Sequence, residues 1–267
     1  MIDKVANNLS VVIVNYRTPE LTVKCVDSIL RWGVAEAKDI VVVENSSPDN
    51  SAQRLKSELP SEVSLVVAER NNGYSAGVNI GAMRAKRDFI LVLNPDTYFV
   101  DQSIDSALVI LKNDTNVGLI GLDLIYPNNE RQYSARRFYS FLDIVARRTP
   151  LGRYWPFKSR VAKHMMVDQW GPGTPFDTDW VMGTGFVVRR QLFEQLGGMD
   201  EDYFLYMEDV DFCARIWKSG SRVICVPGAR LIHDHQRSSA AGVFSMAGRL
   251  HLKSLSTYMK RHQIPIW

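Results

Sequence analysis

Asp88-Phe89-Ile90-Leu91-Val92-Leu93-Asn94-Pro95-Asp96-Thr97 is the stretch on which the rest of the chain turns. Phe89 to Leu93 is an unbroken apolar run of strand length, the pattern of a central strand in a parallel sheet covered on both faces. Pro95 has no N–H to give to a ladder, so pairing stops at Asn94. Asp96 then stands at the carboxyl end of a buried strand, the edge where open α/β sheets bind ligands. A carboxylate held there beside an Asn suits an oxygen-seeking divalent cation, Mg2+ or Mn2+, carrying a diphosphate. A capping Asp in a strand-to-helix turn is the competing reading.

Upstream, Leu9 to Val14 reads as a buried strand. Thr18-Pro19-Glu20 then opens a helix whose apolar stripe is Leu21, Cys25, Ile29 and Leu30. The turn between them, Asn15-Tyr16-Arg17, lacks the Gly-x-Gly-x-x-Gly of a dinucleotide-binding domain and excludes that fold. A sugar-phosphate nucleotidyltransferase, which needs a glycine-rich loop at the same place, is disfavoured too. Ile40 to Val43 is a second strand ending in Glu44-Asn45-Ser46-Ser47, and Pro48 is expected to start a helix through Leu55 and Leu59. Leu65 to Ala68 is a short third strand. Asn71-Asn72-Gly73-Tyr74-Ser75-Ala76-Gly77 leads into a helix expected to turn Ile80 and Met83 inward. Its glycines would let backbone N–H groups approach an anionic ligand, or it is an ordinary loop and N-cap. Beyond Asp96 come a helix over Ile104 to Leu111 and a strand over Val117 to Ile125. Strands alternating with helices predict a doubly wound, mostly parallel α/β sheet.

Between Asn128 and Lys163 nine Lys or Arg residues are interleaved with aromatic ones, and only Glu130 and Asp143 oppose them. This is a solvated basic face, or a surface for anionic lipid head groups or a diphosphate-linked acceptor. No nucleic-acid motif accompanies it, so nucleic acid is not expected as a partner. Trp180 to Val188 is a strand interrupted by Gly183 and Gly185, a sign of close approach by a ligand or another backbone. A short helix, 190–196, ends at Gly197-Gly198. Glu208, Asp209 and Asp211 then open a helix to about Ser219, where the macrodipole alone justifies some of the acid. Val223 to Val226 and Ala229 to Ile232 lead into His233-Asp234-His235, a spacing that puts two imidazoles on one face of a strand for a metal, or a surface pair. Met246 to His262 reads as an amphipathic tail helix, lying on its own domain or on a membrane surface.

The 267 residues, 46% hydrophobic, can bury one large core. A net charge of +3 suits an anionic ligand without requiring nucleic acid. Three scattered cysteines argue for a reducing compartment. Without an apolar run of ~18 residues or a leader pattern, the protein is expected to be cytoplasmic, free or at the inner face of the cell membrane.

The order of these motifs resembles the family 2 glycosyltransferases of the GT-A fold, nearest to bacterial rhamnosyltransferase-like members. The match runs over residues 9–237 through Val11 to Tyr16, Val41 to Ser47, Asn72 to Gly77, Leu93 to Thr97, Gln132 to Phe138, Gly183 to Arg190 and Gly198 to Arg215. The resemblance implies a GT-A domain over 1–237, with a nucleotide-binding half at about 9–125 and an acceptor half at about 126–237, and a helical tail over 238–267. Asp96 would be the metal ligand at the last position of the family's Asp-x-Asp, with Asn94 replacing the first Asp. His233 would be the second protein ligand, and the mixed donor set suits Mn2+ somewhat better than Mg2+. Glu44 takes the place of the family's Asp facing the nucleotide base, and Asn15, Tyr16 and Asn72 would line the nucleoside pocket. Asp209 matches the catalytic base and Glu208 would position base or acceptor. Arg136, Arg137 and Trp180 are candidates for contact with acceptor or donor phosphate. The implied activity is inverting, metal-dependent transfer of a sugar, best L-rhamnose from dTDP-rhamnose, to a saccharide or lipid-linked saccharide in bacterial surface polysaccharide synthesis. A UDP- or GDP-sugar donor, or a non-catalytic nucleotide-sugar-binding protein, are the rivals.

Overall fold

A computed structural model describes residues 8–234, 245–262 and 264. The strands are β1 (Leu9–Asn15), β2 (Ile40–Glu44), β3 (Ser64–Val67), β4 (Phe89–Leu93), β5 (Thr97–Tyr98), β6 (Val117–Ile125), β7 (Ala135–Arg136), β8 (Phe176–Asp177), β9 (Trp180–Val181), β10 (Gly185–Arg189) and β11 (Arg222–His233). The helices are α1 (Pro19–Arg31), α2 (Ser51–Glu58), α3 (Tyr74–Ala82), α4 (Asp105–Asn113), α5 (Phe141–Arg148), α6 (Phe157–His164), α7 (Arg190–Gln195), α8 (Glu208–Lys218) and α9 (Met246–Arg261). The main sheet runs β3-β2-β1-β4-β10-β6-β11-β5, with β8 beside β11, and β7 pairs with β9 apart from it.

β3, β2, β1 and β4 are parallel neighbours, as alternating strands and helices predict. All five residues of β4 are buried, which is why its sequence is apolar without alternation. The sheet is mostly rather than wholly parallel, as expected: β10, from late in the chain, inserts antiparallel between β4 and β6. Gly185 permits this insertion, since a Cβ there would lie 2.4 Å from Leu231 Cδ2. β11 is one long strand parallel to β6, with an irregularity between Val226 and Arg230. At that irregularity Gly228, at φ +88°, donates its N–H to Asp123 Oδ2 at 2.9 Å.

Two local expectations are corrected. α2 starts at Ser51 rather than Pro48, because the Asp49 carboxylate accepts from Ser51 N at 3.0 Å and sets the first turn there. Met83 is 76% exposed, and α3 turns inward Ala76, Gly77, Val78, Gly81 and Ala82. The reason is distance: Cβ atoms on Gly77 and Gly81 would sit 2.7 Å from Val14 Cγ1 and 2.3 Å from Val12 Cγ1, so α3 meets β1 through its glycines. Gly73, at φ +96°, likewise approaches protein rather than ligand. Its added Cβ would lie 2.3 Å from the Phe204 carbonyl oxygen, which accepts Tyr74 N–H at 2.8 Å. The start of α3 is thereby fixed to the loop that precedes α8.

α9 packs on the domain over that loop. Ser254 Oγ donates to the Leu205 carbonyl at 2.8 Å, His262 Nε2 meets Asp211 Oδ1 at 2.8 Å, and Arg261 pairs with Asp200 and Asp202. Among the described residues no helix is long and apolar enough to cross a membrane.

Candidate active site

The β11–β5 ladder decides where the site's histidine goes. His233 is paired with Thr97, and Asp234 N–H donates to the Asp96 carbonyl at 2.9 Å, so a residue 137 positions later stands beside Asp96. His233 Nε2 lies 3.4 Å from Asp96 Oδ2, long for a hydrogen bond. On its other side, Nδ1 lies 2.7 Å from Gln132 Oε1, while Gln132 Nε2 donates to the His233 carbonyl at 2.9 Å. The amide's NH2 is used on that carbonyl, so its oxygen faces Nδ1 and places a proton there, leaving Nε2 toward Asp96. Asp96 Oδ1 is buried with no hydrogen-bond partner. A carboxylate oxygen left unpaired inside, beside an imidazole oriented from behind, is the donor chemistry of a divalent cation site. Among the described residues no third His, Cys, Asp or Glu joins them. His235, the second member of the expected pair, lies outside the described residues.

Across the same cavity stands the start of α8. Asp209 accepts Gly183 N–H on Oδ2 and Val210 N–H on Oδ1, both at 2.9 Å. A methyl at Gly183 would make only ordinary contact, 3.4 Å from Asp209 Cβ, so it is the Gly183 N–H that fixes the carboxylate. Burial raises the Asp209 carboxyl above its ordinary value; the two backbone N–H groups and the Arg136 charge pull it part of the way back. Glu208 is pushed well above its ordinary value by burial, and then by the Asp209 charge, and its buried Oε2 has no partner. Tyr206 and Met207, just before, adopt left-handed φ of 71° and 70°, a strained entry that aims the carboxylates inward. The cavity, about 290 Å3, is lined by Tyr74, Asn94, Asp96, Met182, Gly183, Thr184, Leu205, Tyr206, Glu208, Asp209 and His233. A larger hollow of about 1030 Å3 lies between α1 and Tyr98–Val100, but it gathers none of these groups.

The predicted residues divide accordingly. Asn94, Asp96, Glu208, Asp209 and His233 share one cavity. Asn15 does not line it: it is fully buried and spends its amide on Glu44, and its Oδ1 accepts from Thr22 at 2.8 Å. Glu44 is itself buried, held by Asn15 and by Ser47 N–H. Tyr16 and Asn72 are exposed at the same carboxyl edge as Asn15 and Glu44. Trp180 lies in the core, its Nε1–H donated to the Arg137 carbonyl at 2.8 Å. Arg137 is paired with Asp179 at 3.2 Å. Arg136 is buried and acts on Asp209 through its charge. Tyr74, whose hydroxyl donates to the Gly183 carbonyl at 2.9 Å, and Gln132 are the functional positions that reading the sequence missed. A single Gln in a polar loop carries no periodic signal; only the pairing of β11 with β6, which carries His233 past the Gln132 that folds back on Leu124, reveals its place.

Two adjacent carboxylates thus face a carboxylate–imidazole pair across one cavity at the carboxyl edge of the sheet, the edge where α/β enzymes bind their ligands. The model for "Glycosyl transferase family 2" matches residues 10–197. The chain belongs to that family. It is 28% identical over 234 residues to the N-acetylglucosaminyl-diphospho-decaprenol L-rhamnosyltransferase of Mycobacterium tuberculosis, covering 84% of this chain and 75% of the relative. It is 31% identical over 186 residues to the rhamnosyltransferase WbbL of Escherichia coli K12, covering 67% and 64%. The fold is shared with a Pyrobaculum calidifontis mannosyltransferase solved with GDP-Man and Mn2+, at TM-score 0.62, 17% identity, 97% of this chain and 66% of that one. It is shared too with GalNAc-T7 solved with UDP, GalNAc and Mn2+, at TM-score 0.66, 17% identity and 97% coverage, although this chain spans only 48% of that length.

Two consequences can be measured. If Asp96 and His233 hold a cation, Gln132→Leu, which strands the His233 Nδ1–H and carbonyl, should lower Mn2+ affinity measured by titration about 10- to 100-fold, beyond the loss of about 1–3 kcal/mol of stability that it causes without metal. An unchanged affinity would show that Gln132 is only packing. Glu208→Gln should stabilise the fold at alkaline pH. Its carboxyl is raised in the folded state, so the folded protein holds the proton more tightly; that stability is present below the unfolded pKa and is lost as pH rises through the folded one. Melting temperature of the variant should therefore exceed that of the parent at pH 8 by more than at pH 5; the reverse order would rule out the buried-charge account.

Proposed function

We propose that the protein is an inverting, metal-dependent glycosyltransferase that moves L-rhamnose from dTDP-rhamnose to a saccharide or lipid-linked saccharide acceptor in bacterial surface polysaccharide synthesis, working from the cytoplasm. The observation that carries this reading is the opposition of Asp209 to the Asp96–His233 pair across one cavity. The names of the two relatives support the sugar. Asp96 and His233 would hold the cation, Mn2+ or Mg2+, which when bound neutralises charge developing on the departing diphosphate. Asp209 accepts the proton of the acceptor hydroxyl as that oxygen bonds to the anomeric carbon. On the opposite face the bond to the diphosphate oxygen breaks, its electron pair leaves with the nucleoside diphosphate, and configuration inverts. Asp209 suits this work because burial raises its basicity while Gly183 and Val210 hold its orientation. Tyr74, anchored on Gly183, closes the wall beside it.

Thermal-shift screening of dTDP-rhamnose, UDP-glucose and GDP-mannose, each with Mn2+ or with a chelator, tests this directly. A stabilisation seen only with Mn2+ and largest for dTDP-rhamnose is expected, growing by about 2.7 kcal/mol at a hundredfold excess over Kd. A larger shift with another donor replaces the sugar but not the class. No shift with any donor overturns the reading.

A further inference from the structure

The excursion between β7 and β9 does nothing for the cavity that its length would explain. α5, the turn after it and α6 pack on one another, rooted where Arg137 N–H donates to the His164 carbonyl at 2.9 Å. At its tip Trp155 is 86% exposed and Tyr154 67%, with Phe141 at 50% nearby. Arg153 and Lys158 flank the two aromatic residues and are exposed, as is Lys163 further along α6. From Gln132 to Val167 the sequence holds one acid, Asp143, and it is turned inward, accepting Ser140 N–H at 3.0 Å and pairing with Arg160 at 2.8 Å. From Arg153 to Lys163 the exposed charge is therefore of one sign, wrapped around two amphipathic rings, and the next exposed acid along the chain is Asp168.

We propose that the Arg153–Lys158 tip is a docking surface for an anionic phospholipid bilayer. Two features choose that occupant. Trp and Tyr have an apolar body and a polar edge, the combination that settles at the head-group level of a membrane. Cations without acidic partners around them are drawn to a negatively charged leaflet. The projection is rooted at Arg137, next in sequence to the Arg136 whose charge acts on Asp209.

Co-sedimentation of the full chain with vesicles tests the surface without nucleotide or acceptor, so its failure leaves the donor reading standing. Vesicles of phosphatidylglycerol and phosphatidylcholine (3:7) should retain the protein at 50 mM salt at least tenfold better than pure phosphatidylcholine, with the difference shrinking at 500 mM. Joint Trp155→Ala and Tyr154→Ala should lower retention at least tenfold, and Lys158→Glu with Lys163→Glu should do the same through charge alone. Met83→Ala, equally exposed elsewhere, should leave it unchanged. Because all these side chains are exposed, melting temperatures should match the parent's. Equal retention by neutral vesicles, or undiminished retention by both tip variants, overturns the proposal.

Discussion

Asp209→Asn is expected to lower sugar transfer by about 10^2- to 10^4-fold, the usual worth of a positioned general base, while the dissociation constant for donor changes less than twofold. The side chain makes two kinds of contact, and the variant separates them. Its oxygens accept from Gly183 and Val210, contacts that shape the loop, and the carboxylate charge makes it basic. Asn keeps the size and one accepting oxygen but cannot take a proton. Its NH2 would face one of the two backbone N–H groups, at a cost of about 1–3 kcal/mol, offset by removing a buried charge. Donor affinity measured beside the rate therefore tells a lost base from a distorted pocket. The pH profile gives the same answer independently. Protonated Asp209 cannot serve as base, so activity falls as pH drops through its pKa; since burial raises that pKa, the acid limb should lie above the ordinary range near about 3.9. The Arg136 charge holds the pKa down, so Arg136→Met should move the limb further up. Retained transfer in Asp209→Asn, or an acid limb that ignores Arg136, would reject the assignment.

The half of the fold ending at Asp96 is legible in the sequence because each strand there is a short apolar run closed by a polar turn. Fully buried parallel strands write that pattern locally. β10 is not legible in the same way. Its sequence says strand, but its place between β4 and β6 depends on Gly185 meeting Leu231, a contact 46 residues apart in the chain. The glycines show the same division. Gly73, Gly77 and Gly81 announce close approach, yet whether they approach a ligand or protein depends on Phe204, Val14 and Val12, which no local rule names. Among candidate site residues, Asp96 and Asp209 are visible as carboxylates at the ends of elements. Asn15 and Glu44 look alike from sequence, polar residues after a strand, but only the parallel register shows that they stand side by side and bond each other. Gln132 is invisible until β11 brings His233 to it.

Asp96→Ala separates the two readings that the opening stretch left open. A capping Asp would accept a backbone N–H at the turn after β4, and losing it would cost about 1 kcal/mol of stability. Among the described residues the Asp96 side chain caps nothing: Oδ1 is buried without a partner and Oδ2 has His233 Nε2 at 3.4 Å. The turn is closed instead by Thr97, whose Oγ1 donates to the Asn94 carbonyl at 2.7 Å, and by backbone bonds that the substitution leaves in place. An unpaired buried carboxylate is a cost that the fold tolerates, so without ligand the variant should melt no lower than the parent, and higher if the group is ionised there. With Mn2+ and dTDP together the order should reverse. The parent gains a metal-dependent stabilisation and the variant does not, a loss of at least tenfold in donor affinity, about 1.4 kcal/mol. His233→Ala should lose the same metal-dependent part yet melt lower than Asp96→Ala, because it strands the Gln132 amide oxygen in the interior. If Asp96→Ala instead destabilised the protein without ligand and kept its Mn2+ response, the carboxylate would be a structural cap and the cation would have to be held elsewhere.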